Sequence, residues 1–484
     1  MNRQIVKLFG LIVVLFAVLV GFTSYWSVFD AEALKDKTAN ARPLLEQQQI
    51  ERGRILAADG TTIARSLAKG QGDSLRYLRR YPEGALYGHP IGYSFVREGD
   101  SQFEQFHNDE LIGEESEFVS LLDELRGSPQ EGNDVVTNLD PEAQRVAMSG
   151  LEAAGFGAVV AIEPSTGRVR AMASNPPYDP NRVPFELTKL NRNTFETPLF
   201  NRATQGLSPP GSTFKVVTAA AGLDSGAIEL DSTIDAPSTI DVQGQPLSNS
   251  DGASYGPITL EPALTGSVNT WFAQLGEEVG SDTLFEYMDR FGFGSTPAID
   301  LPDDQVERSG VYEERELLGR GDAVDVARVA IGQERLLVTP LQMAEVAAAI
   351  ANGGTLMKPQ IWSRVVDPNG RVTERLDPSS YGQPIEEETA AALTDAMEGV
   401  VSEGTGTNAA ISGISVAGKT GTAETPFNDS CGESDANQAW FIGFAPADDP
   451  QIAIAVTVEC TPSFGGEIAA PIFREVAEAL LSGE

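Results

Sequence analysis

The fold of this chain is decided by residues 157–173, which read GAVVAIEPSTGRVRAMA. Two short β-prone runs flank Pro164-Ser165-Thr166-Gly167, a typical turn sequence, so the stretch predicts an antiparallel β-hairpin. Helical patterns dominate the middle of the chain, and β-rich runs follow late, at 415–424, 438–445 and 451–460, before a final helix at 470–481. Strands that open and close a region with a helical middle predict an α+β fold, with one antiparallel sheet between helices.

The length of the chain predicts more than one domain. Its 484 residues exceed what one compact core of ordinary size accommodates. We expect a tail at 1–7, a transmembrane anchor at 8–29, a smaller extended N-terminal domain at 30–156, and a larger domain at 157–484.

The N-terminal domain carries local signals for a hairpin, a strand and a helix. The Asp59-Gly60 pair lies between short β-prone runs and predicts the hairpin. Residues 135–139 predict the strand, after which Asp140 is expected to cap a helix that runs to about Ala154. The polar stretch 36–51 is expected to be a stalk helix or a linker.

An uncharged apolar run begins near the N-terminus. Residues 8–29 are enough to cross a hydrocarbon layer of ~30 Å as a helix. Arg3 and Lys7 precede the run and two acidic residues follow it, so the N-terminus is expected in the cytoplasm and the bulk outside. The alternative is a cleaved signal peptide, but the bulky residues at 24–29 do not resemble its cleavage site. We therefore expect a single-pass plasma-membrane protein.

Composition excludes several functional classes. The chain has 70 acidic and 34 basic residues, and the formal charge of −36 repels nucleic-acid phosphates. Its two histidines, His89 and His107, leave little for a histidine-based metal site or a histidine-relay hydrolase. Two cysteines cannot form a four-cysteine zinc site. We therefore expect neither a nucleic-acid partner nor a metal.

A serine and a lysine stand three residues apart in 208–220, which reads SPPGSTFKVVTAA at the start of a predicted helix. Residues i and i+3 share one helix face, and a helix start favours developing negative charge. Ser212 can act as a nucleophile if a partly buried Lys215 with a lowered pKa removes its proton. The alternative is an exposed helix cap beside a solvated lysine. The same spacing occurs at Ser66 and Lys69, where no apolar helix follows.

Two further motifs carry polar side chains suited to a peptide ligand. Residues 418–422 read GKTGT on a predicted strand, where a lysine, hydroxyls and a close-approach glycine suit a carboxylate ligand that pairs with the strand. Ser267-Val268-Asn269 precedes an apolar helical stretch, and its hydroxyl and amide can point into one cleft. Read alone, the first is also typical of a turn and the second of a helix cap by Ser267. The order S-x-x-K, S-x-N, K-T-G, at intervals of 55 and 152 residues, is far more specific.

On these residues the chain resembles the penicillin-recognising serine acyl-transferases. The motif spacing and the apolar N-terminal run resemble the class B penicillin-binding proteins, as do the strings at 52–55, 404–407 and 440–444. The short first region is most similar to the PbpA-like group of actinobacteria. The resemblance implies a penicillin-binding transpeptidase domain at 157–484 and a non-catalytic, pedestal- or dimerisation-like domain at 30–156.

The resemblance also implies a role for each site residue. Ser212 would be the acylated nucleophile and Lys215 its general base, while Ser267 and Asn269 would relay a proton and hold the peptide. The backbone N–H groups of Ser212 and Thr422 would form an oxyanion hole. Substrate contacts are implied for Lys419, Thr420, Gly421 and Thr422. No metal and no organic cofactor are implied.

The implied activity is that of a peptidoglycan D,D-transpeptidase, which cross-links stem peptides of lipid II-derived strands and is acylated by β-lactams. The alternatives are a D,D-carboxypeptidase or a slow β-lactamase on the same site, or a largely non-catalytic scaffold that activates a membrane glycosyltransferase. Val268 stands where class A β-lactamases have Asp, which weighs against fast β-lactam hydrolysis. The family further implies a SEDS-type glycosyltransferase as a partner.

The two cysteines lie near the end of the chain. Cys431 is in the polar loop after the K-T-G strand, and Cys460 ends the last predicted strand. Outside the cytoplasm such a pair can form a disulfide, which would brace the rim of the proposed cleft. Two separate buried thiols are the alternative.

Overall fold

The computed structural model describes residues 2–28, 48–113, 131–424, 431 and 436–482. Most of the stretch predicted as a stalk or linker, 36–51, lies outside these ranges. The first helix is Asn2–Val28. Within the described ranges, no helix was found that is long and apolar enough to span a membrane.

The described α-helices are concentrated in the middle of the chain, where several follow one another with no described strand between them. After the first helix they are, in order, Gly88–Ile91, Gln102–Phe106, Asn108–Ile112, Pro141–Ala154, Val183–Arg192, Arg202–Gln205, Lys215–Asp224, Leu260–Thr265, Asn269–Val279, Ser281–Arg290, Val326–Ala330, Pro340–Ala351, Glu387–Ser402 and Gly465–Leu481. The helical middle predicted from the sequence is therefore confirmed.

A five-stranded antiparallel sheet, the central sheet, organises the larger part of the chain. Its strand order is Ala417–Glu424, Asn437–Ala445, Ile452–Thr461, Gly157–Ile162, Val169–Asn175. The predicted hairpin and the three late strands are confirmed. The register that sets Ala455 opposite Val160 brings the beginning and the end of the α+β region together. The final helix begins at Gly465, five residues before its predicted start.

Helices cover both faces of the central sheet. Side chains alternate along its strands, so each face presents its own set of residues to the helices that cover it. Val159 belongs to one buried cluster, which includes the final helix, Gly465–Leu481. Val160, the next residue, belongs to a second cluster, which includes Lys215–Asp224 and Pro340–Ala351. Both valines are fully buried, so each face of the sheet carries its own apolar core.

A six-stranded sheet, the N-terminal sheet, has the order Val372–Arg375, Trp362–Val366, Asp134–Thr137, Ile55–Leu56, Thr62–Lys69, Arg76–Arg80. The hairpin predicted around Asp59-Gly60 is confirmed, because the two strands that flank it pair antiparallel. Two strands of this sheet come from within 157–484, a pairing that a linear division at residue 157 does not anticipate. Ser66 and Lys69 lie on one of its strands, where a separation of three places them on opposite faces.

The remaining described strands form smaller sheets. They pair Thr239–Val242 with Gln245–Ser248, Ile234–Ala236 with Gly256–Ile258, Gly310–Glu313 with both Glu316–Leu317 and Leu336–Leu337, Leu356–Met357 with Ser380–Gly382, and Ser94–Phe95 with Gly99–Asp100.

The predicted cap at Asp140 is confirmed, since its carboxylate accepts the backbone N–H groups of Glu142 and Ala143 at the start of Pro141–Ala154.

A histidine connects the N-terminal region to the larger part. His107 lies 3.4 Å from the carboxylate of Asp300 and 3.5 Å from that of Glu110. Burial alone would lower the pKa of His107, but the two carboxylates outweigh burial and raise it to about 9. Asp300 also accepts the backbone N–H groups of Ile361 and Trp362. The carboxylate of Asp300 therefore binds both the charged His107 and the backbone of residues 361–362, two segments that are far apart in sequence.

A buried charge cluster forms the centre of the N-terminal region. Glu104 is fully buried and accepts from the guanidinium groups of Arg52 at 2.8 Å and Arg79 at 2.6 Å. Tyr81 donates its hydroxyl to the same carboxylate at 3.1 Å. Arg52 belongs to the string at 52–55, and its contacts show why a guanidinium stands there.

Replacing Glu104 by Gln should destabilise the protein strongly. The substitution keeps the volume but removes the negative charge that the buried guanidinium groups of Arg52 and Arg79 contact directly. Breaking such a buried pair typically lowers the free energy of unfolding by about 3–5 kcal/mol. Denaturant unfolding measures the loss. The control is Glu142→Gln, which removes an exposed pair with Arg145 and should change the free energy of unfolding by at most about 1 kcal/mol. Equal effects of the two substitutions would contradict this account.

Candidate active site

The serine of the S-x-x-K motif lies on a tight turn that leads into a helix. Ser212 is in the 3₁₀ turn Gly211–Phe214, and the α-helix begins at Lys215, slightly later than predicted. Gly211 has φ +52°, and a Cβ there would lie 2.7 Å from the backbone oxygen of Thr422. The serine turn and the K-T-G strand are therefore in direct contact, and only glycine fits at this position.

Lys215 is fully buried and its ammonium nitrogen is surrounded by oxygen atoms. Its Nζ donates to the backbone oxygen of Ser267 at 2.7 Å and to Oδ1 of Asn269 at 2.7 Å. It also lies 3.2 Å from Oγ of Ser267. Both polar residues of the S-x-N motif therefore contact the lysine of the S-x-x-K motif.

The third motif joins the same cluster through its lysine. Lys419 is fully buried, and its Nζ donates to Oγ of Ser267 at 3.0 Å and to the backbone oxygen of Thr420 at 3.0 Å. The hydroxyl of Ser267 thus lies between the two lysine nitrogens. The structure brings S-x-x-K, S-x-N and K-T-G into one site, as their order and spacing predict.

Burial sets the charge state of both lysines. It holds the pKa of Lys215 well below its ordinary value, and the charge of neighbouring Lys419 lowers that pKa further. Burial also lowers the pKa of Lys419, to about 7. No acidic side chain pairs with either lysine among the described residues. The lowered pKa favours the neutral amine of Lys215, whose lone pair is what a general base requires.

Ser267 has a strained backbone that directs it at the lysines. Its φ is +54°, a left-handed conformation that non-glycine residues adopt rarely. Val268, not Ser267, precedes the first residue of the helix Asn269–Val279, and the Ser267 hydroxyl contacts the two lysines instead. The interpretation of Ser267 as a helix cap is therefore wrong.

The K-T-G strand is at the edge of the central sheet. Among the described strands, Ala417–Glu424 pairs with Asn437–Ala445 and with no other. Thr420 and Thr422 share the face opposite to that of Lys419, by the alternation of a strand. A Cβ at Gly421 would lie 2.6 Å from the backbone oxygen of Pro210. The predicted close approach at this glycine is thus present.

Half-buried Ser212 leaves its hydroxyl available. None of the hydrogen bonds between described residues involves Ser212 Oγ. Serine, lysines and a free strand edge together form a site in which an acyl group can be transferred to a hydroxyl. Among the described residues, no group of three or more His, Cys, Asp or Glu is placed to hold a metal ion.

Several residues that hold the site motifs in place could not be assigned a role from the sequence. The hydroxyls of Thr405 and Thr420 are 2.6 Å apart, so Thr405 fixes a side chain of the K-T-G strand. The string at 404–407 pointed to this segment without giving a role. Asn269 donates Nδ2 to the backbone oxygen of Ser248 at 3.0 Å, and Asn249 caps the next N–H, that of Thr270. Only the fold brings 248–249 to the S-x-N motif.

The two cysteines are bonded to each other. The structure joins Cys431 and Cys460 with an S–S distance of 2.00 Å. The bond connects the segment after the K-T-G strand to the end of Ile452–Thr461, two strands away. Cys431 therefore has a covalent connection to the central sheet.

Comparison with known proteins identifies the family to which the chain belongs. The family profile of the penicillin binding protein transpeptidase domain matches residues 157–478. The profile of the penicillin binding protein A dimerisation domain matches residues 52–135. The chain belongs to the penicillin-binding protein transpeptidases.

Particular relatives narrow the group. The chain is 34% identical to the peptidoglycan D,D-transpeptidase PbpA of Mycolicibacterium smegmatis over the full length of both chains. A ceftriaxone acyl-enzyme complex of penicillin-binding protein A from M. tuberculosis matches with a TM-score of 0.80 and 34% identity, covering 90% of this chain and 100% of that one. A D,D-transpeptidase domain from Eggerthella lenta matches with a TM-score of 0.76 and 33% identity, covering 90% and 99%. The resemblance to the PbpA-like group is confirmed.

The pKa of Lys419 predicts a pH dependence for ligands that carry a carboxylate. Lys419 is charged below pH 7 and neutral above it, so its attraction for the carboxylate of penicillin should fall as pH rises through 7. The second-order rate constant of acylation should decline above pH 7, by up to about tenfold per unit. Stopped-flow acylation between pH 6 and 9 measures the decline. Penicillin methyl ester, which lacks the carboxylate, should not show it, and parallel profiles for the two compounds would contradict the prediction.

Proposed function

We propose that Ser212 is the acylated serine of a peptidoglycan D,D-transpeptidase. The chain is a serine-type D,D-transpeptidase that β-lactams inhibit as an acyl-enzyme, because it shares the family and the full length of PbpA enzymes. The observation that carries the assignment to Ser212 is the buried Lys215, which has a lowered pKa, begins the next helix and contacts both polar residues of the S-x-N motif.

Acylation begins with a proton transfer. The neutral amine of Lys215 takes the proton of Ser212 Oγ, and the oxygen attacks the carbonyl carbon of the penultimate D-Ala in a stem peptide. The backbone N–H groups of Ser212 and Thr422 stabilise the oxyanion that forms. The contact between Gly211 and the backbone of Thr422 supports this arrangement, since it keeps the two N–H groups on adjacent segments.

Collapse of the tetrahedral intermediate needs a proton for the leaving group. The ammonium of Lys215 gives its proton to the hydroxyl of Ser267, which passes its own proton to the amine of the departing D-Ala. The contacts of Ser267 Oγ with both lysine nitrogens support the relay. An amine of a neighbouring stem then attacks the ester carbonyl, and the same groups act in reverse to release Ser212.

The K-T-G strand holds the donor peptide. The peptide lies antiparallel to the free edge of Ala417–Glu424, and its terminal carboxylate accepts from the hydroxyls of Thr420 and Thr422. Gly421 allows the serine turn to approach the strand, and Lys419 supplies positive potential. The contact between Thr405 and Thr420 supports a fixed position for one of these hydroxyls.

We further propose that the protein is anchored in the plasma membrane by residues 8–29, with a cytoplasmic N-terminus and an extracytoplasmic catalytic domain. The described apolar side chains between Leu8 and Phe22 of the first helix are exposed, which supports a lipid environment for them. Family resemblance further suggests that the anchor and the residues 30–156 pair with a SEDS-type glycosyltransferase. Cross-linking in membranes, followed by mass spectrometry, tests that pairing.

Removal of residues 2–29 should release the protein from the membrane. Without the apolar run, the negatively charged remainder has no long hydrophobic segment to insert. Fractionation of cells that express full-length and truncated chains measures the change. The proposal of an anchor fails if the truncated chain sediments with membranes as the full chain does.

Substitution of the serine and its base should separate their roles. Ser212→Ala should abolish the mass increase that penicillin produces on the intact protein. Lys215→Gln should keep the adduct but slow its formation by about 10²–10⁴-fold, the usual contribution of a general base. The control is Ser66→Ala in the other S-x-x-K sequence, which should form the adduct at the rate of the unmodified protein. An adduct of undiminished rate in Ser212→Ala would overturn the assignment.

The acceptor decides between cross-linking and hydrolysis. With a donor stem peptide and an excess of acceptor amine, the main product should be the amide-linked dimer rather than the hydrolysed peptide. Liquid chromatography with mass detection measures the two products. Hydrolysis alone, at every acceptor concentration, would make the protein a D,D-carboxypeptidase and contradict transpeptidation.

A further inference from the structure

A cavity of about 340 Å³ lies apart from the residues of the catalytic site. It is bordered by the end of Ser281–Arg290, by Pro340–Ala351, and by the paired strands Leu356–Met357 and Ser380–Gly382. None of the residues proposed for acyl transfer lines it. Its walls are largely apolar, with Pro297, Leu356 and Pro384 among them.

Glu345 lines this cavity from an otherwise apolar helix. The helix reads PLQMAEVAAAIA, and Glu345 is only 3% exposed. None of the hydrogen bonds or ion pairs between described residues involves its carboxyl group. An unpaired carboxylate in such a place is costly, by several kcal/mol for a buried ion. A leucine or alanine would fill the position without that cost, so a physical reason for the carboxyl group is needed.

The other polar groups of the cavity do not supply a partner. Arg290 is at the rim, where its guanidinium pairs with Glu286 and Asp224. Asp289, also at the rim, pairs with Arg320 at 3.2 Å. The lining of the cavity therefore offers one buried carboxyl group, and the guanidinium of Arg290 in that lining already has acidic partners.

We propose that this cavity binds a primary ammonium group carried on a short apolar body, with Glu345 as its counter-ion. The apolar walls suit the body of such a ligand, and the buried carboxyl group suits its ammonium. The ammonium could belong to a free amine or to the side chain of a peptide, and the two sources share the same chemistry. This proposal does not depend on the assignment of the acyl-transfer residues.

The ionisation of Glu345 gives the site a pH signature. Burial raises the pKa of Glu345 to about 8, so the empty cavity holds a neutral carboxylic acid at pH 7. An ammonium lowers that pKa and displaces the proton. Binding should therefore strengthen by up to about tenfold per pH unit between pH 6 and 8 and level off above pH 8.

Other ionisable groups lie beside this cavity and on the elements packed against this helix. Burial and the charge of Glu345 raise the pKa of Tyr381 to about 12. On the packed elements, Arg202 pairs with Glu459, and Lys358 lies over the ring of Tyr381. The remaining acids, on Glu387–Ser402, are exposed or half-buried: Glu387, Glu388, Asp395 and Glu398.

Calorimetric titration of the full chain with n-butylammonium, and with acetyl-lysine methylamide, tests the proposal. Both probes should bind, and their affinity should rise from pH 6 to 8. Titrations at pH 7 in buffers of different ionisation enthalpy should show that binding releases close to one proton. The Nε-acetylated form of the lysine derivative should not bind. Tighter binding of acetyl-lysine methylamide than of n-butylammonium, by tenfold or more, would identify a peptide side chain as the source.

Substitutions locate the site. Glu345→Gln should weaken n-butylammonium binding at pH 8 by at least tenfold and remove the pH dependence, whereas the matched rim variant Asp289→Asn should stay within about threefold. Penicillin adducts of both variants show that they are folded, and melting curves do so if the adduct itself fails to form. Undiminished binding in Glu345→Gln, or no saturable binding of either probe, overturns the proposal.

Discussion

The site depends on one constraint, the burial of an amine without a carboxylate beside it. Lys215 is fully buried, and its hydrogen-bond partners among the described residues are neutral oxygen atoms of Ser267 and Asn269. A charged ammonium is unfavourable there, and the proximity of Lys419 adds to the penalty. Burial thereby favours the neutral, basic form of a group that is normally a cation, in a chain with few histidines to serve as a base instead.

The rest of the fold positions groups around that amine. The central sheet brings the K-T-G strand to an edge. Among the described strands it has one neighbour, which leaves a backbone to which an extended peptide can add. Gly211 and Gly421 let the serine turn touch this strand at distances that a side chain would forbid. The nucleophile, the base and the proposed peptide site are therefore fixed by packing between segments far apart in sequence.

The sequence predicted the parts of this arrangement that have local signals. The hairpin at 157–173, the late strands and the cap at Asp140 follow from periodicity and turn chemistry, and the site follows from motif order and spacing. What it could not predict are long-range pairings: Trp362–Val366 in the N-terminal sheet, and Thr405 beside Thr420. The left-handed backbone of Ser267 was also missed, because a serine before a helix usually signals a cap.

Direct titration of Lys215 tests the central claim. The chain has eight lysines, so selective isotopic labelling gives a simple NMR spectrum in which Lys215 is assigned by its absence in Lys215→Gln. The account predicts that the Lys215 side chain is uncharged at pH 7 and takes up its proton only at lower pH. A Lys215 resonance that stays that of an ammonium up to pH 9 would contradict it, since no lone pair would then be available to activate Ser212.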